Sequence, residues 1–150
     1  MDDRAVVARQ IGREPRAFLR VVVRCPWGLP VVTEQSPQDE AGKPFPTTYW
    51  LTCRHLVAGV SRVEAAGGVE RWTEAVRSDP ELTASLERAN GQQRDLTGLG
   101  IGASSREGSL KCLHAHVAYA LAQPDYELGR RMLGELEPLW PSDGCCTDRG

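Results

Sequence analysis

Phe18-Leu19-Arg20-Val21-Val22-Val23-Arg24, followed by Cys25-Pro26-Trp27-Gly28-Leu29-Pro30 and Val31-Val32-Thr33, carries most of the fold information in this chain. The first seven residues are rich in β-branched side chains, which fit a pleated, half-buried surface and predict a strand. Proline has no amide donor and a fixed φ, so Pro26 and Pro30, with Gly28 between them, force a turn. Val31–Thr33 then predicts a short second strand. Residues 35–46 hold Pro37, Gly42, Pro44 and Pro46 and predict an extended loop. Thr47-Thr48-Tyr49-Trp50-Leu51-Thr52 again has strand propensity.

On the N-terminal side, Asp2 and Asp3 can cap a short helix through Ile11, with Gly12 as its stop. On the C-terminal side the pattern is helical. Leu56, Val60 and Val63 fall at i, i+4 and i+7, predicting a helix from Cys53 to Ala66 closed by Gly67-Gly68. Asp79-Pro80 is an N-cap followed by proline at the first helical position, opening a helix to Asn90. Residues 96–108 are glycine-rich and irregular. Ser109 can cap a helix over Leu110–Ala122 that Pro124 ends, and Asp125 opens another with Leu128, Met132 and Leu136 on one side. Strands come first and helices later, without βαβ alternation. The expected class is therefore α+β, a small N-terminal β-sheet followed by several packed helices. One domain over residues 1–140 is expected, with 141–150 a polar tail carrying Cys145 and Cys146.

The chain has 150 residues, 41% of them hydrophobic, enough for one core without disulfide staples. Eighteen Lys+Arg against 20 Asp+Glu leave a formal net charge of -2. Nonspecific nucleic-acid binding and polybasic membrane binding both need a strong cationic field, so neither is expected. No stretch approaches the roughly 20 apolar residues of a membrane helix, and membrane insertion is not expected. Met1-Asp2-Asp3-Arg4 is acidic and no apolar h-region follows it, which makes the cytoplasm the expected compartment. Thiols there stay reduced. Five cysteines is also an odd number, so a complete set of intramolecular disulfides is impossible.

Five Cys and three His in so short a chain point to a site built on them. The most informative stretch is Lys111-Cys112-Leu113-His114-Ala115-His116. On a helix, Leu113, Val117 and Ala120 make the inward stripe, while Cys112 and His116 share a flank at i, i+4 and can bind one ion. His114 projects from the opposite flank. Cys53 opens a helix, where amide dipoles favour a thiolate, and Cys25 sits in a rigid turn. The expected metal ligands are thus Cys25, Cys53, Cys112 and His116, with His114, Cys145 or Cys146 as substitutes. Such thiolate-rich ligation suits zinc, with an iron–sulfur cluster as the alternative. No CxxC pair is present. The competing reading is that the cysteines are small buried hydrophobes and the histidines are hydrogen-bonded in the core.

A second candidate is the loop Gly98-Leu99-Gly100-Ile101-Gly102-Ala103-Ser104-Ser105, which precedes a helix whose first turn holds Lys111. Gly100, Gly102, Ser104 and Lys111 could cradle an anion, although the spacing matches neither the P-loop nor the dinucleotide fingerprint. Thr47–Trp50 could line a pocket beside Cys53. Arg4, Arg9, Arg13, Arg16, Arg20 and Arg24 make an arginine-rich start suited to an acidic protein partner or to plain solvation.

Arg24-Cys25-Pro26-Trp27-Gly28-Leu29-Pro30-Val31-Val32, Phe45-Pro46-Thr47-Thr48-Tyr49-Trp50-Leu51-Thr52-Cys53, Gly100-Ile101-Gly102 and Lys111–His116 together resemble the bacterial domain-of-unknown-function family 501. The resemblance runs over nearly the whole chain. It implies a small cytoplasmic protein of a mostly actinobacterial family whose genes often lie beside those of a septum-formation initiator protein, enolase and an exopolyphosphatase. It supplies no catalytic residues. Arg54 stands where the family usually has proline after the cysteine, and Asn90–Asp95 lacks the His and Tyr expected there.

Three functions follow as expectations. The leading one is a Cys/His centre that binds zinc or, second, an iron–sulfur cluster. The next is a thiol- or metal-dependent hydrolase or transferase acting on a phosphorylated small molecule. In it Cys53 or Cys112 is the nucleophile, His114 or His116 the base, and Lys111 an anion-binding or catalytic group. The third is a non-catalytic interaction module linked to cell division. Whether the protein is an enzyme is left open by the residues.

Overall fold

In the computed structural model, which describes residues 2–106 and 108–149, the residues with strand propensity pair with one another. Phe18–Arg24 (β1) and Pro30–Gln35 (β2) run antiparallel, with Val21 opposite Thr33 and Val23 opposite Val32. Tyr49–Leu51 (β3) pairs with the other edge of β2, Leu51 opposite Val32, giving the order β1-β2-β3. The turn between β1 and β2 closes through the Cys25 amide, which donates to the Leu29 carbonyl at 2.9 Å. Gly28 there has φ 85, a conformation that strains residues with a Cβ. β2 is the interior strand, its Val31, Val32 and Thr33 sealed from solvent, while Leu19, Arg20, Val22 and Arg24 of β1 stay exposed.

Six α-helices are found among the described residues: Asp3–Ile11 (α1), Arg54–Ala65 (α2), Gly68–Ser78 (α3), Pro80–Thr97 (α4), Leu113–Ala122 (α5) and Glu127–Leu133 (α6). The class is α+β, as the order of patterns predicts. Caps set several boundaries. The Asp2 side chain accepts from the Arg4 amide and Gly12 stops α1 in the left-handed region at φ 76. Asp79 caps α4 by accepting from the Glu81 amide at 2.9 Å, with Pro80 next.

α5 organises the core. Leu113, His116, Val117, Ala118, Tyr119 and Ala120 are all buried, so the helix is covered on most sides rather than along the single stripe expected. It packs against β3, α2 and α6. Gly129 of α6 permits the close approach: a Cβ there would stand 2.5 Å from the His116 carbonyl and 2.6 Å from the Ala120 Cβ.

Three elements differ from the sequence pattern. Residues 69–78, which the pattern leaves without an element, form α3, with Trp72 and Val76 on its inner side. α4 runs past Asn90 to Thr97, because the inner face of its last turns is anchored. The Asn90 Oδ1 accepts from the Ile101 amide at 2.9 Å, and the Gln93 amide nitrogen donates to Thr48 Oγ1 at 2.5 Å. α5 begins at Leu113 instead of Leu110, which matters for the site. The segment expected as a polar tail contributes to the core as well: Cys145 is buried and Thr147 Oγ1 accepts from the Gln10 side chain at 3.0 Å. Gly150, the end of that segment, lies outside the described residues. No described helix is long and apolar enough to cross a membrane.

Candidate metal centre

The start of α5 departs from helical geometry. Lys111 has φ 65, and Cys112, the N-cap residue, is extended at φ -146 and ψ 159. A side chain outside the helix does not follow helical spacing, so Cys112 and His116 do not share a flank. The residue beside Cys112 is instead His114, and the two side chains are hydrogen-bonded. Glu64, in the last turn of α2, completes the group. Its Oε2 accepts from the Leu113 amide at 2.7 Å and lies 3.3 Å from His114 Nδ1. That hydrogen bond satisfies one of the donors a helix start leaves unpaired, and a carboxylate there complements the helix dipole. His114 Nε2 stands 3.4 Å from Ser61 Oγ.

One donor atom each from Glu64, Cys112 and His114 lies within 4.8 Å of the other two, and the three side chains are partly buried. Burial raises the Cys112 thiol, yet the hydrogen bond and charge of His114, with the Ala115 amide, bring it below its ordinary value. The hydrogen bond with Cys112 raises His114 against the opposing effect of burial, and the Glu64 charge adds to the rise. These are the electrostatics of a thiolate held beside an imidazolium.

Cys112 and His114 open onto a cavity of about 360 Å³ whose other walls are Arg13, Arg16, Phe45, Tyr49, Trp50 and neighbouring residues of the 44–51 segment. The Thr47–Trp50 stretch thus lines a pocket as the sequence suggests, but the cysteine it faces is Cys112. No carboxylate lies in the lining.

The four side chains expected to share an ion each take a different partner. Cys25 donates to Cys145 across a 3.7 Å sulfur–sulfur separation, and Cys53 is hydrogen-bonded to Cys146. Burial raises the Cys25 thiol and pushes that of Cys53 up to about 12. Cys112 turns to His114 and Glu64. His116 is sealed in the core, its Nε2 2.9 Å from the Leu110 carbonyl and its Nδ1 2.7 Å from the Tyr126 hydroxyl. A carbonyl only accepts, so Nε2 carries the proton and Nδ1 accepts from Tyr126, leaving no nitrogen for a metal. Burial lowers its pKa to about 4. Among the described residues, Glu64, Cys112 and His114 are the one cluster of three such donors. His114, a substitute in the expected set, is a member, and Glu64 carries no sequence signal that sets it apart from the other acidic residues.

The expected anion cradle is occupied by its own hydrogen bonds. The Gly100 amide donates to the Ser104 carbonyl at 2.9 Å, and the Ser104 hydroxyl donates to the Arg106 carbonyl at 3.0 Å. Lys111 Nζ donates to the Ala103 carbonyl at 3.4 Å. Gly102 lines the pocket without contributing a charge. His55 lies at the start of α2, beside a separate surface depression.

Fold and site together define a small α+β protein with a Glu/Cys/His cluster beside a cationic, aromatic-walled pocket. The chain belongs to the family described as protein of unknown function (DUF501), whose profile matches residues 21–96. That span holds Cys25, Cys53 and Glu64, whereas Cys112 and His114 lie beyond it. No curated protein and no solved structure matches the chain.

Proposed function

We propose that this protein binds a single divalent transition metal, zinc, through Glu64, Cys112 and His114, with a remaining coordination position facing the pocket. The convergence of three chemically suited donors within 4.8 Å carries the reading. Zinc bonds of about 2.0–2.3 Å in a tetrahedron put ligand atoms roughly 3.3–3.8 Å apart. The 3.3 Å between Glu64 Oε2 and His114 Nδ1 matches that edge. One thiolate, one imidazole and one carboxylate suit zinc better than an iron–sulfur cluster, which is ordinarily held by several thiolates. Three protein ligands and an open position are the pattern of catalytic rather than structural zinc, which activates a bound water or polarises a substrate oxygen. The reading therefore extends to a metal-dependent hydrolase or transferase in a reducing compartment, the cytoplasm.

Elemental analysis of purified protein tests it. The wild type should carry about one equivalent of zinc, and Cys112→Ser or His114→Ala less than about a tenth of one. Wild-type protein that takes up no metal when supplied with zinc overturns the reading.

A second reading is favoured by one observation: Cys112 lines the pocket at the start of α5 with His114 beside it, the placement of a thiol nucleophile and its base. Iodoacetamide then alkylates Cys112 ahead of Cys25 and Cys53, which are buried, at a rate unchanged by a chelator. Protection of Cys112 by zinc with release by the chelator favours the first reading.

A further inference from the structure

Arg13 and Arg16 lie between α1 and β1, outside the centre just described. The Arg13 guanidinium carbon is 5.1 Å from the ring centroid of Trp50, and that of Arg16 is 5.5 Å from the ring of Phe45. Arg4, Arg20 and Arg24 all pair with carboxylates, but neither Arg13 nor Arg16 does among the described residues. Both line the 360 Å³ cavity that Cys112 and His114 close on another side, and that lining holds no acid. A guanidinium stacked on an aromatic face is held in orientation while its N–H edge stays free for bidentate pairing with a planar or tetrahedral anion.

We propose that this pocket binds a small organic anion, a carboxylate or phosphate ester with an apolar body, whose charged group pairs with Arg13 and Arg16 while its body lies against Phe45 and Trp50. The cavity volume suits a ligand of that size, and apolar walls with two convergent charges are the usual composition of a small-molecule site. The inference rests on the reading of the adjoining Glu64/Cys112/His114 centre as functional, since it names the substrate class that would reach it.

The test uses the full chain and two fluorescent probes, the anionic 1-anilinonaphthalene-8-sulfonate and the uncharged N-phenyl-1-naphthylamine. Replacing both arginines, R13Q/R16Q, should weaken the sulfonate by roughly tenfold or more and change the uncharged probe less than about twofold. Equal affinities of wild type and variant for the sulfonate, or parallel losses of both probes, overturn the proposal. Displacement of the sulfonate by phenyl phosphate or by benzoate identifies the anion class, and displacement by neither overturns it. Cys112→Ser should lose zinc yet keep the sulfonate, so failure of the metal reading and failure of the anion site register in different measurements.

A separate observation carries a second inference. Cys25 faces Cys145, and Cys53 faces Cys146, so the two vicinal cysteines each meet a different core thiol. No three of these sulfurs gather around one point. We infer that they are two dithiol pairs which glutathione disulfide can close, fastening the C-terminal segment to the sheet turn and to the start of α2. In each pair one protein thiolate attacks glutathione disulfide and releases one glutathione. The partner thiolate then displaces the second, so each disulfide formed leaves two reduced glutathiones. Cys146, partly exposed, is the attacking member of the pair with Cys53.

Peptide mapping by mass spectrometry after equilibration with oxidised glutathione should find Cys25–Cys145 and Cys53–Cys146 cross-links. The Tm should rise on the order of 10 °C. A Cys145–Cys146 link, persistent free thiols, or zinc held by these four residues overturns the inference. Cys146→Ser should keep the Cys25–Cys145 link alone.

Discussion

Glu64 Oε2 stands 3.3 Å from His114 Nδ1 and joins the last turn of α2 to the first turn of α5. The same oxygen accepts the Leu113 amide, so one carboxylate both caps a helix and faces the imidazole. Glu64→Gln separates these roles, because an amide oxygen still accepts from Leu113 while the charge is gone. Zinc affinity should fall by about tenfold or more in competition with a chromogenic chelator. In the metal-free protein the Glu64 charge helps hold His114 above its ordinary value, so the NMR titration of His114 should move to lower pH in the variant. An unchanged titration would remove Glu64 from the site.

His116 predicts a pH dependence of stability with a definite sign. Its pKa is lowered from 6.5 to about 4 in the folded protein by burial. The unfolded chain therefore binds the proton first, and acid favours unfolding. Stability should be at full strength above about pH 6.5 and decline by about 3 kcal/mol as pH falls to 4, as each pKa unit is worth about 1.4 kcal/mol. Urea unfolding at several pH values measures it. His116→Gln should flatten this part of the profile and leave zinc stoichiometry intact, whereas loss of zinc would restore His116 to the ligand set.

These two histidines show how far sequence carries here. Strand residues, turn prolines and helix caps act within a few positions, and the β1-turn-β2 unit and the starts of α1 and α4 follow from them. The metal-ligand pairing of Cys112 with His116 rests on a helix already formed at Lys111, whose φ of 65 places that start three residues later. A local backbone departure thus exchanges one histidine for another. Glu64 is brought to the site by the packing of α2 on α5, a contact between residues 49 apart that no spacing encodes. α3 is not legible in the pattern because Gly68 reads as a stop, whereas it opens the helix: a Cβ there would stand 2.6 Å from the Val63 carbonyl.

Asp79 supports two elements at once. Its Oδ1 accepts from the Glu81 amide at 2.9 Å, and its Oδ2 pairs with Arg131 of α6 at 3.3 Å. The ion pair is partly exposed and contributes little. Loss of the cap dominates, so Asp79→Ala should cost about 1 kcal/mol, and Asp79→Ser, which keeps the cap, only a few tenths. Equal losses in the two variants, measured by chemical denaturation, would shift the weight to the pair with Arg131.

Gly129 and Gly91 both lie inside helices, and alanine at either gains about 0.8–1 kcal/mol of helix propensity. Packing decides the sign. At Gly91 no atom lies within 4 Å of the new Cβ, so Gly91→Ala should raise stability by nearly that gain. At Gly129 the Cβ would meet the His116 carbonyl at 2.5 Å and Tyr126 at 2.9 Å, contacts with backbone and a packed ring that cannot give way. Overpacking of this kind costs about 1–3 kcal/mol, and here it must push α6 off α5 and stretch the His116–Tyr126 hydrogen bond. Gly129→Ala should therefore lower stability by about 1 kcal/mol net and raise the pH at which His116 takes up its proton. Stabilisation by both substitutions in thermal unfolding would mean that α5 and α6 do not approach this closely.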